Sequence, residues 1–509
     1  MKNSLKIALF SLLFGVIVDV LFYKAFGVGI NVLLMEISFL AIAYALAQLT
    51  HHKLPTSAHV SAVLSLGFSL PFMLWNSEIG LSVAVIGLLV SNILFVTFLT
   101  GEDARFRHPF ELFAIYVPLI VNVFSQLPIF ADLSFKVSAS DKTKRILIGV
   151  AILIPIFILF TALFASADAV FQSYVNAPFK DLGNFLHLSD VGEAFTQGIL
   201  ILFVAIFSTL IFAAAFWNRI APREKHVPAF MGETESAVVL SGVIALFALF
   251  LLVQGMTMFG GEAAMRSLDM TYAEYAREGF NQLIVVAVLV ASLVLTLRYV
   301  HGEHAKKHLL VLHSMLIVET LLVLVSAFLR VNLYIDTYGF TPERLLAMAT
   351  IGTLGVLFLL LLGNIIQRES QAHFVERGLV ALGICGLMFS MSGPDAMAAN
   401  FNVKRAETGK AIDLKQIADL STDADPALLN ALMLTVTGKI RLEHPTDYLG
   451  FACRSKPMYN GQLVDDWRLW NLSLLKSGYI TDDINTTIRK IDNSAHCEGT
   501  GLQYNPGVE

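Results

Sequence analysis

The sequence predicts an all-α protein, a polytopic bundle of transmembrane helices followed by a small polar helical domain. Of the 509 residues, 56% are hydrophobic and 15% are charged, and the mean hydropathy is +0.68. A water-soluble domain needs more polar surface than this, because exposing apolar surface to water costs about 25 cal/mol per Å². Apolar runs of about 20 residues, enough to cross a hydrocarbon core of about 30 Å, recur along the chain.

Eleven of these runs are long enough to be spans. They are 5–23, 29–49, 58–75, 79–99, 144–166, 195–217, 236–258, 280–299, 309–329, 344–364 and 375–392. A further segment, 110–130, places its polar residues on one helical face and contains two prolines. We expect it to be an interfacial or re-entrant helix rather than a span.

The first run follows Lys2 and Lys6 and so resembles a signal peptide. Asp19 and Tyr23 stand where a cleavage site would need small residues, which predicts an uncleaved first span.

The distribution of Lys and Arg predicts the orientation, since these residues are enriched in cytoplasmic loops. With eleven spans and a cytoplasmic N-terminus, most basic residues of the membrane region fall on the inner side. Counting 110–130 as a span nearly equalises the two sides. We therefore expect a membrane domain at 1–392 and an extracytoplasmic tail at 393–509, which we call the tail.

The tail is polar and reads as short helices. Trp467, Trp470 and Leu474 recur at i, i+3 and i+7, which predicts an amphipathic helix. Asp482 is a candidate cap for a second helix that follows it.

Cys453 and Cys497 both lie in the tail, and the third cysteine, Cys385, lies in the last span. Two cysteines in an extracytoplasmic domain favour a disulfide. The alternative is a pair of free thiols, and only the distance between them in the fold decides this.

Charged and aromatic residues are expected to converge at the outer ends of several spans. This candidate polar cluster consists of Asp168, Tyr275, Arg277, Glu278, Arg330, Asp336, Tyr338 and Arg344. Opposite charges at a membrane boundary either pair with one another or line a wet cavity. Both interpretations stay open: a salt-bridge girdle that fixes the helices, or a polar pocket for a lipid headgroup, glycan or small anion.

Three carboxylates fall within predicted spans, Asp19, Glu36 and Glu319. A charged side chain at the centre of a bilayer is costly, so each should face the bundle interior. Ser326 and Arg330 follow Glu319 at i+7 and i+11 on the same helical face. The three carboxylates are either proton-relay groups or interhelical hydrogen-bond partners.

Familiar catalytic motifs are absent from the sequence: it contains no P-loop, dinucleotide fingerprint, G-x-S-x-G or H-E-x-x-H. His301, His304 and His308 could share a helical face, but no Cys or carboxylate is fixed beside them. We therefore expect no catalytic residue, cofactor or metal. The net charge of −5 gives no reason to expect a nucleic-acid partner.

Four stretches carry a family resemblance. They are LFASADAVF (163–171), TYAEYAREGF (271–280), RVNLYIDTYGFTPERL (330–345) and PDAMAANFNVKRAETGKAIDL (394–414). Together they resemble the bacterial membrane protein family catalogued as domain of unknown function 4173, close to the 4153 group. The resemblance implies a polytopic protein of the bacterial inner membrane with a polar helical tail, placed here in the periplasm or outside the cell. It implies no established activity.

The expected function is non-enzymatic binding of an envelope lipid or protein partner, through the outer cluster and the tail of a protein embedded in the lipid bilayer. A proton-coupled transporter or flippase that uses Glu319 is the alternative. An intramembrane enzyme acting on a lipid or glycan carrier comes last, because the sequence supplies no nucleophile–base pair.

Overall fold

A computed structural model describes residues 3–25, 27–99, 126, 129, 189–216, 233–259, 280–301, 306–442, 453, 458–459, 462–463 and 466–491. Within these residues the regular structure is helical apart from one short β-ladder and one isolated β-bridge, which confirms the predicted all-α class.

The helices that precede the tail are α1 (Asn3–Phe22), α2 (Ile30–Leu49), α3 (Thr56–Ser69), α4 (Pro71–Leu74), α5 (Glu78–Leu99), α6 (Ser189–Phe216), α7 (Glu233–Phe259), α8 (Phe280–His301), α9 (Lys307–Tyr338), α10 (Pro342–Ile366) and α11 (Gln371–Met391). The tail contains α12 (Pro394–Glu407), α13 (Leu414–Ala418), α14 (Asp425–Val436) and α15 (Leu472–Ile491). It also contains 3-10 turns at Thr422–Ala424 and Trp467–Leu469, and the strands β1 (Met458–Tyr459) and β2 (Gln462–Leu463), which pair antiparallel.

Among the described helices, seven are long and apolar enough to cross a membrane: α1, α2, α3 together with α4, α5, α9, α10 and α11. Shorter apolar stretches occupy Leu200–Phe216 of α6, Ser236–Leu252 of α7 and Leu283–Arg298 of α8. The protein is therefore a multi-pass membrane protein. The predicted span 144–166 lies outside the described residues, as does 110–130 except for Gln126 and Ile129.

One end of the bundle carries the tail, and we call it the tail end. Arg468 hydrogen-bonds to carbonyls at the end of α1, and the carbonyl of Trp470 accepts from the N–H of Ile30 at the start of α2. Phe340, between α9 and α10, pairs with Asn402 of α12. Helix α11 leads directly into the tail at this end.

The other end, which we call the opposite end, collects the remaining helix termini. Lys6 near the start of α1 donates to the carbonyl of Leu49 at the end of α2. The ring of His52 lies 5.6 Å from that of Phe216, the last residue of α6. Glu233 at the start of α7 pairs with Lys306 just before α9 at 2.6 Å. The long helices thus alternate in direction along the chain, except that α5 and α6 both run from the tail end to the opposite end.

Helices α1 and α6 pack along most of their length, and a glycine sets their separation. A Cβ built on Gly15 would lie 2.5 Å from the carbonyl oxygen of Ile201, closer than any side chain tolerates. The ring of Phe14, next to Gly15, lies 5.8 Å from that of Phe39, which stacks on Phe212 of α6 at 5.6 Å. Small residues at a helix contact are the usual device for close packing in membranes.

The tail has a hydrophobic core of its own, formed by α12, α13, α14 and α15. Leu428 and Leu432 of α14 and Ile484 and Ile488 of α15 are fully buried in it. The predicted break near Asp482 is wrong: α15 runs through this residue without interruption. The helix predicted at Trp467 instead begins at Leu472.

The change of helix boundary has a local cause at Asn471. Its side-chain oxygen accepts from the N–H groups of Ser473 and Leu474, at 2.9 and 3.1 Å. Such an N-cap satisfies the free N–H groups of a first turn and fixes where a helix starts. The i, i+3 spacing of Trp467 and Trp470 therefore reflects a separate 3-10 turn that precedes α15.

The contact at Gly15 predicts the effect of a substitution. We expect Gly15→Val to lower the thermal midpoint of the purified protein, because the added methyls force α1 and α6 apart at a cost of about 1–3 kcal/mol. The control is Gly352→Val in α10, where a Cβ meets no atom within 4 Å. Equal midpoints for the two variants would contradict the α1–α6 packing.

Candidate functional site: the junction of tail and membrane helices

The structure describes half of the predicted polar cluster. Asp168, Tyr275, Arg277 and Glu278 lie outside the described residues, so the predicted ion pairs between the two halves stay predictions. The other four members lie around the turn that joins α9 to α10; they are Arg330, Asp336, Tyr338 and Arg344.

Arg344 is held by a carbonyl and an aromatic ring. Its guanidinium lies 4.2 Å from the ring centre of Tyr334 and donates to the carbonyl of Gly339. Tyr334 in turn contacts Tyr338 edge-to-face at 5.0 Å. Asp336 and Tyr338 are exposed, whereas Arg330 is buried on α9. The described members therefore stabilise the turn between α9 and α10, and the Arg344 guanidinium lies over the face of the Tyr334 ring.

Helix α12 of the tail binds this turn directly. Asn402 accepts from the N–H of Phe340 and donates to its carbonyl, each at 2.8 Å. Arg405 and Lys410 donate to the carbonyl of Asp336, at 3.1 and 2.9 Å. The last carbonyls of a helix lack intrahelical partners, and cations stabilise that end of the helix dipole. The tail therefore caps the C-terminus of α9.

A second contact joins the tail to the N-terminus of α5. Both carboxylate oxygens of Asp423 accept from the backbone N–H of Asn76, at 2.9 and 3.0 Å. The hydroxyl of Ser77 donates to Asp395 at 2.7 Å. Ser421 donates its N–H to the other oxygen of Asp395 at 3.0 Å. Anionic groups are stabilised at a helix N-terminus, where N–H groups are free and the dipole is positive.

The two aspartates are buried, with 6% of Asp395 and 7% of Asp423 exposed. Burial raises the pKa of Asp423, and the nearby charge of Asp395 raises it further. Hydrogen bonds from the hydroxyl of Ser473 and from the backbone of Asn76 act in the opposite direction. Two carboxylates therefore share one dry site against the start of a membrane helix.

A third contact is made by segment 466–471, which fits between α1 and α2. Arg468 donates to the carbonyls of Val20 and Tyr23, at 3.1 and 2.7 Å. Asp466 holds the guanidinium at 2.6 Å, and this pairing lowers the pKa of the Asp466 carboxyl. A Cβ on Gly29 would lie 2.7 Å from the backbone of Leu469, so only glycine fits against this segment.

The side chain of Asn471 extends the third contact to α4. It donates to the carbonyls of Phe72 and Trp75, both at 2.8 Å. The indole N–H of Trp75 donates to the carbonyl of Met391 at 3.0 Å. Gly393 packs against that indole at φ +61°, with no room for a Cβ. The chain therefore enters the tail at a fixed angle.

The three intramembrane carboxylates have different surroundings. Glu36 is buried and accepts from the side chain of Asn92 at 3.0 Å, which joins α2 to α5. Asp19 is also buried, and one of its oxygens has no hydrogen-bond donor within the described residues. One oxygen of Glu319 is likewise buried without a described partner. Of the three, Glu36 alone has an interhelical hydrogen bond of the expected kind within the described part of the bundle.

A charged network that the sequence analysis missed lies at the opposite end. Arg298 of α8 donates to the side chain of Asn364 at 2.6 Å and to the carbonyl of Glu369 at 3.1 Å. Arg377 of α11 binds the Glu369 carboxylate with two hydrogen bonds and lowers its pKa. A sequence signal existed: Arg298 and Arg377 both stand at predicted helix ends on the inner side.

The cysteines are only partly described. Cys385 is a free thiol in α11, and Cys453 is disulfide-bonded. Its predicted partner, Cys497, lies outside the described residues, so the pairing stays a prediction. Within the described part of the chain, no group of three or more His, Cys, Asp or Glu is arranged to hold a metal ion.

The raised pKa of Asp423 predicts how docking of the tail depends on pH. The folded protein binds the Asp423 proton more tightly than the unfolded chain does. This contribution to stability is therefore present below the ordinary carboxyl pKa and is lost as the pH rises through the raised pKa. We expect wild-type protein to gain hydrogen-exchange protection in the tail, relative to Asp423→Asn, as the pH falls from 8 to about 5.

The exposed Asp419→Asn is the matched control, and its difference from the wild type should not change in this way. If the difference in protection between the wild type and Asp423→Asn does not change with pH, burial does not raise the pKa of the Asp423 carboxyl.

Comparison with known proteins gives a family but no activity. No curated protein and no solved structure matches the chain. One family model matches residues 59–431, from α3 to α14. It is the 4153 group rather than the neighbouring 4173 group expected from the resemblance. Since the match covers more than half of the 509 residues, this chain belongs to the family described as Domain of unknown function (DUF4153).

Proposed function

We propose that this protein is a non-enzymatic component of the bacterial inner membrane that binds an envelope lipid or protein through its tail and the outer ends of its helices. The observation that supports this proposal is the set of contacts between the tail and the membrane helices. Hydrogen bonds join the tail to α1, α2, α4, α5 and the turn after α9, so a ligand on the tail would act on several membrane helices together.

The proposed topology has eleven spans. Helix α5 starts at the tail end and its 22 residues carry it to the opposite end. Helix α6 ends beside His52 at the opposite end, so it starts at the tail end. This arrangement supports an odd number of membrane crossings between them. We therefore propose one span at 144–166, with 110–130 interfacial or re-entrant.

The proposed orientation puts the opposite end in the cytoplasm and the tail outside. Basic residues at the opposite end, including Lys6, Arg298, Lys306 and Arg377, support it through the positive-inside rule. The disulfide at Cys453 supports an oxidising compartment for the tail.

Exposed apolar side chains on the docked tail support a binding role. Met433 and Val436 of α14 are 49% and 47% exposed, and Tyr479 of α15 is 77% exposed. Exposed apolar side chains beside a polar surface are typical of contact sites with other molecules. Since the tail has its own core, these residues are not needed to complete it.

The proposal is tested by photo-crosslinking in cells, with benzoylphenylalanine in place of Tyr479 in the full-length protein. We expect a discrete protein or lipid adduct whose yield falls several-fold in Asn471→Ala. That change removes two buried hydrogen bonds and a helix cap, which weakens docking by about 2–4 kcal/mol.

The matched control for this experiment is Asn400→Ala, an exposed position on α12 that bonds only within its own helix. Its adduct yield should equal that of the wild type. The proposal fails if no adduct forms, or if the yield is the same in Asn471→Ala as in the control.

Glu319 supports a second candidate, a proton-coupled transporter or flippase. Its side chain is half-buried midway along α9, with one oxygen buried and without a hydrogen-bond partner among the described residues. Ser326 and Arg330 follow on the same helix and are buried. A carboxylate in this position is available to take up and release a proton.

For this candidate we expect Glu319→Gln to abolish proton flux in proteoliposomes and to leave the thermal midpoint unchanged, because the amide keeps the shape but cannot titrate. Glu376→Gln, at an exposed position of α11, should behave as the wild type. Wild-type flux in Glu319→Gln, or no flux in any protein, counts against transport through this residue.

A further inference from the structure

The 3-10 turn of the tail stands at the edge of the membrane bundle. Arg468 is bonded to the last carbonyls of α1, and the carbonyl of Trp470 accepts from Ile30 at 3.1 Å, at the start of α2. These three hydrogen bonds put the turn level with the ends of two membrane helices.

The two tryptophans of this turn point away from the protein core. Trp467 is 57% exposed and Trp470 is 39% exposed, although Leu469 between them is 7% exposed. The turn is held in place by the buried side chain of Leu469 and by the hydrogen bonds of Arg468, and neither indole is needed for this. The packing of the tail therefore does not account for two large aromatic side chains at this place.

The adjoining surface of α1 is apolar and faces outward. Val16 and Val20 are 41% and 55% exposed, and Val20 is the same residue whose carbonyl accepts from Arg468. Because α1 is long and apolar enough to span the membrane, this exposed face is a lipid-facing face. The turn that carries the two indoles thus lies at the end of α1 where this lipid-facing surface stops.

The neighbouring residues have the composition of a membrane–water boundary. Tyr23 follows the end of α1, and the ammonium of Lys24 lies 5.6 Å from the centre of its ring. Trp and Tyr are enriched at the headgroup level because the ring is apolar and the N–H or O–H is polar, and Lys extends toward water at the same level.

We propose that Trp467 and Trp470 insert into the headgroup–acyl boundary of the bilayer leaflet at the tail end, so that the tail is a membrane-surface domain held down by this turn. The partner is the phospholipid interface itself. The inference comes from the position of the turn on α1 and α2, and it does not depend on the proposed binding of an envelope partner.

The test measures tryptophan fluorescence of the full-length protein in phosphatidylcholine vesicles. The emission of Trp467 and Trp470 is obtained as the difference between the wild type and Trp467→Phe/Trp470→Phe, which keeps aromatic side chains at both positions. We expect this component to be quenched by phosphatidylcholine brominated near the top of its acyl chains, less by lipid brominated near the chain ends, and weakly by iodide in the buffer.

Lys490→Trp in the double-Phe background is the matched control, since Lys490 is exposed and lies near the end of α15, at the far end of that helix from the docked Asn471. Its added emission should be quenched by iodide and not by brominated lipid. The proposal is overturned if the Trp467/Trp470 component shows the pattern of this control. If the double variant is not recovered in folded form, Trp467→Phe and Trp470→Phe measured separately give the same comparison.

Discussion

The helix ends at one face of the bundle carry backbone groups without helical partners, and the tail supplies those partners. Asp423 accepts from the N–H before α5, Arg468 donates to the carbonyls at the end of α1, and Asn402 pairs with Phe340 between α9 and α10. Water or lipid headgroups would otherwise have to satisfy these groups. The side chains have matching charge, anions at N-termini and cations at C-termini. These hydrogen bonds fix the polar tail to the ends of the membrane helices.

The two ends of the bundle use polar groups differently. At the opposite end, Arg298, Glu369 and Arg377 form a charged network that joins α8, α10 and α11 within the membrane domain itself. At the tail end, the polar groups are divided between the helices and the tail. A ligand that binds the tail would therefore contact a domain that is hydrogen-bonded to helices on several sides of the bundle. This is the physical basis for regarding the junction as the candidate functional site.

The candidate site also explains why single residues of the predicted cluster have unequal roles. Arg344 stacks on Tyr334 and supports a turn, Arg330 is buried on α9, and Asp336 offers its carbonyl to Arg405 and Lys410. Sequence alone grouped these residues by charge and depth. Their actual partners are carbonyls and rings, which no charge pattern reveals, because a backbone carbonyl is present at every position.

The sequence by itself determined that this is a helical multi-pass membrane protein, since apolar run length and composition decide membrane insertion locally. It also located a polar helical tail after the last span. Only the tertiary structure decided where the tail sits, that α15 starts at Asn471 and runs past Asp482, and which glycines are required. The reason is that docking depends on backbone groups brought together from distant parts of the chain, as Asn471 is with Phe72. Such contacts leave no periodic pattern and no compositional bias in the sequence, so only the folded structure reveals them.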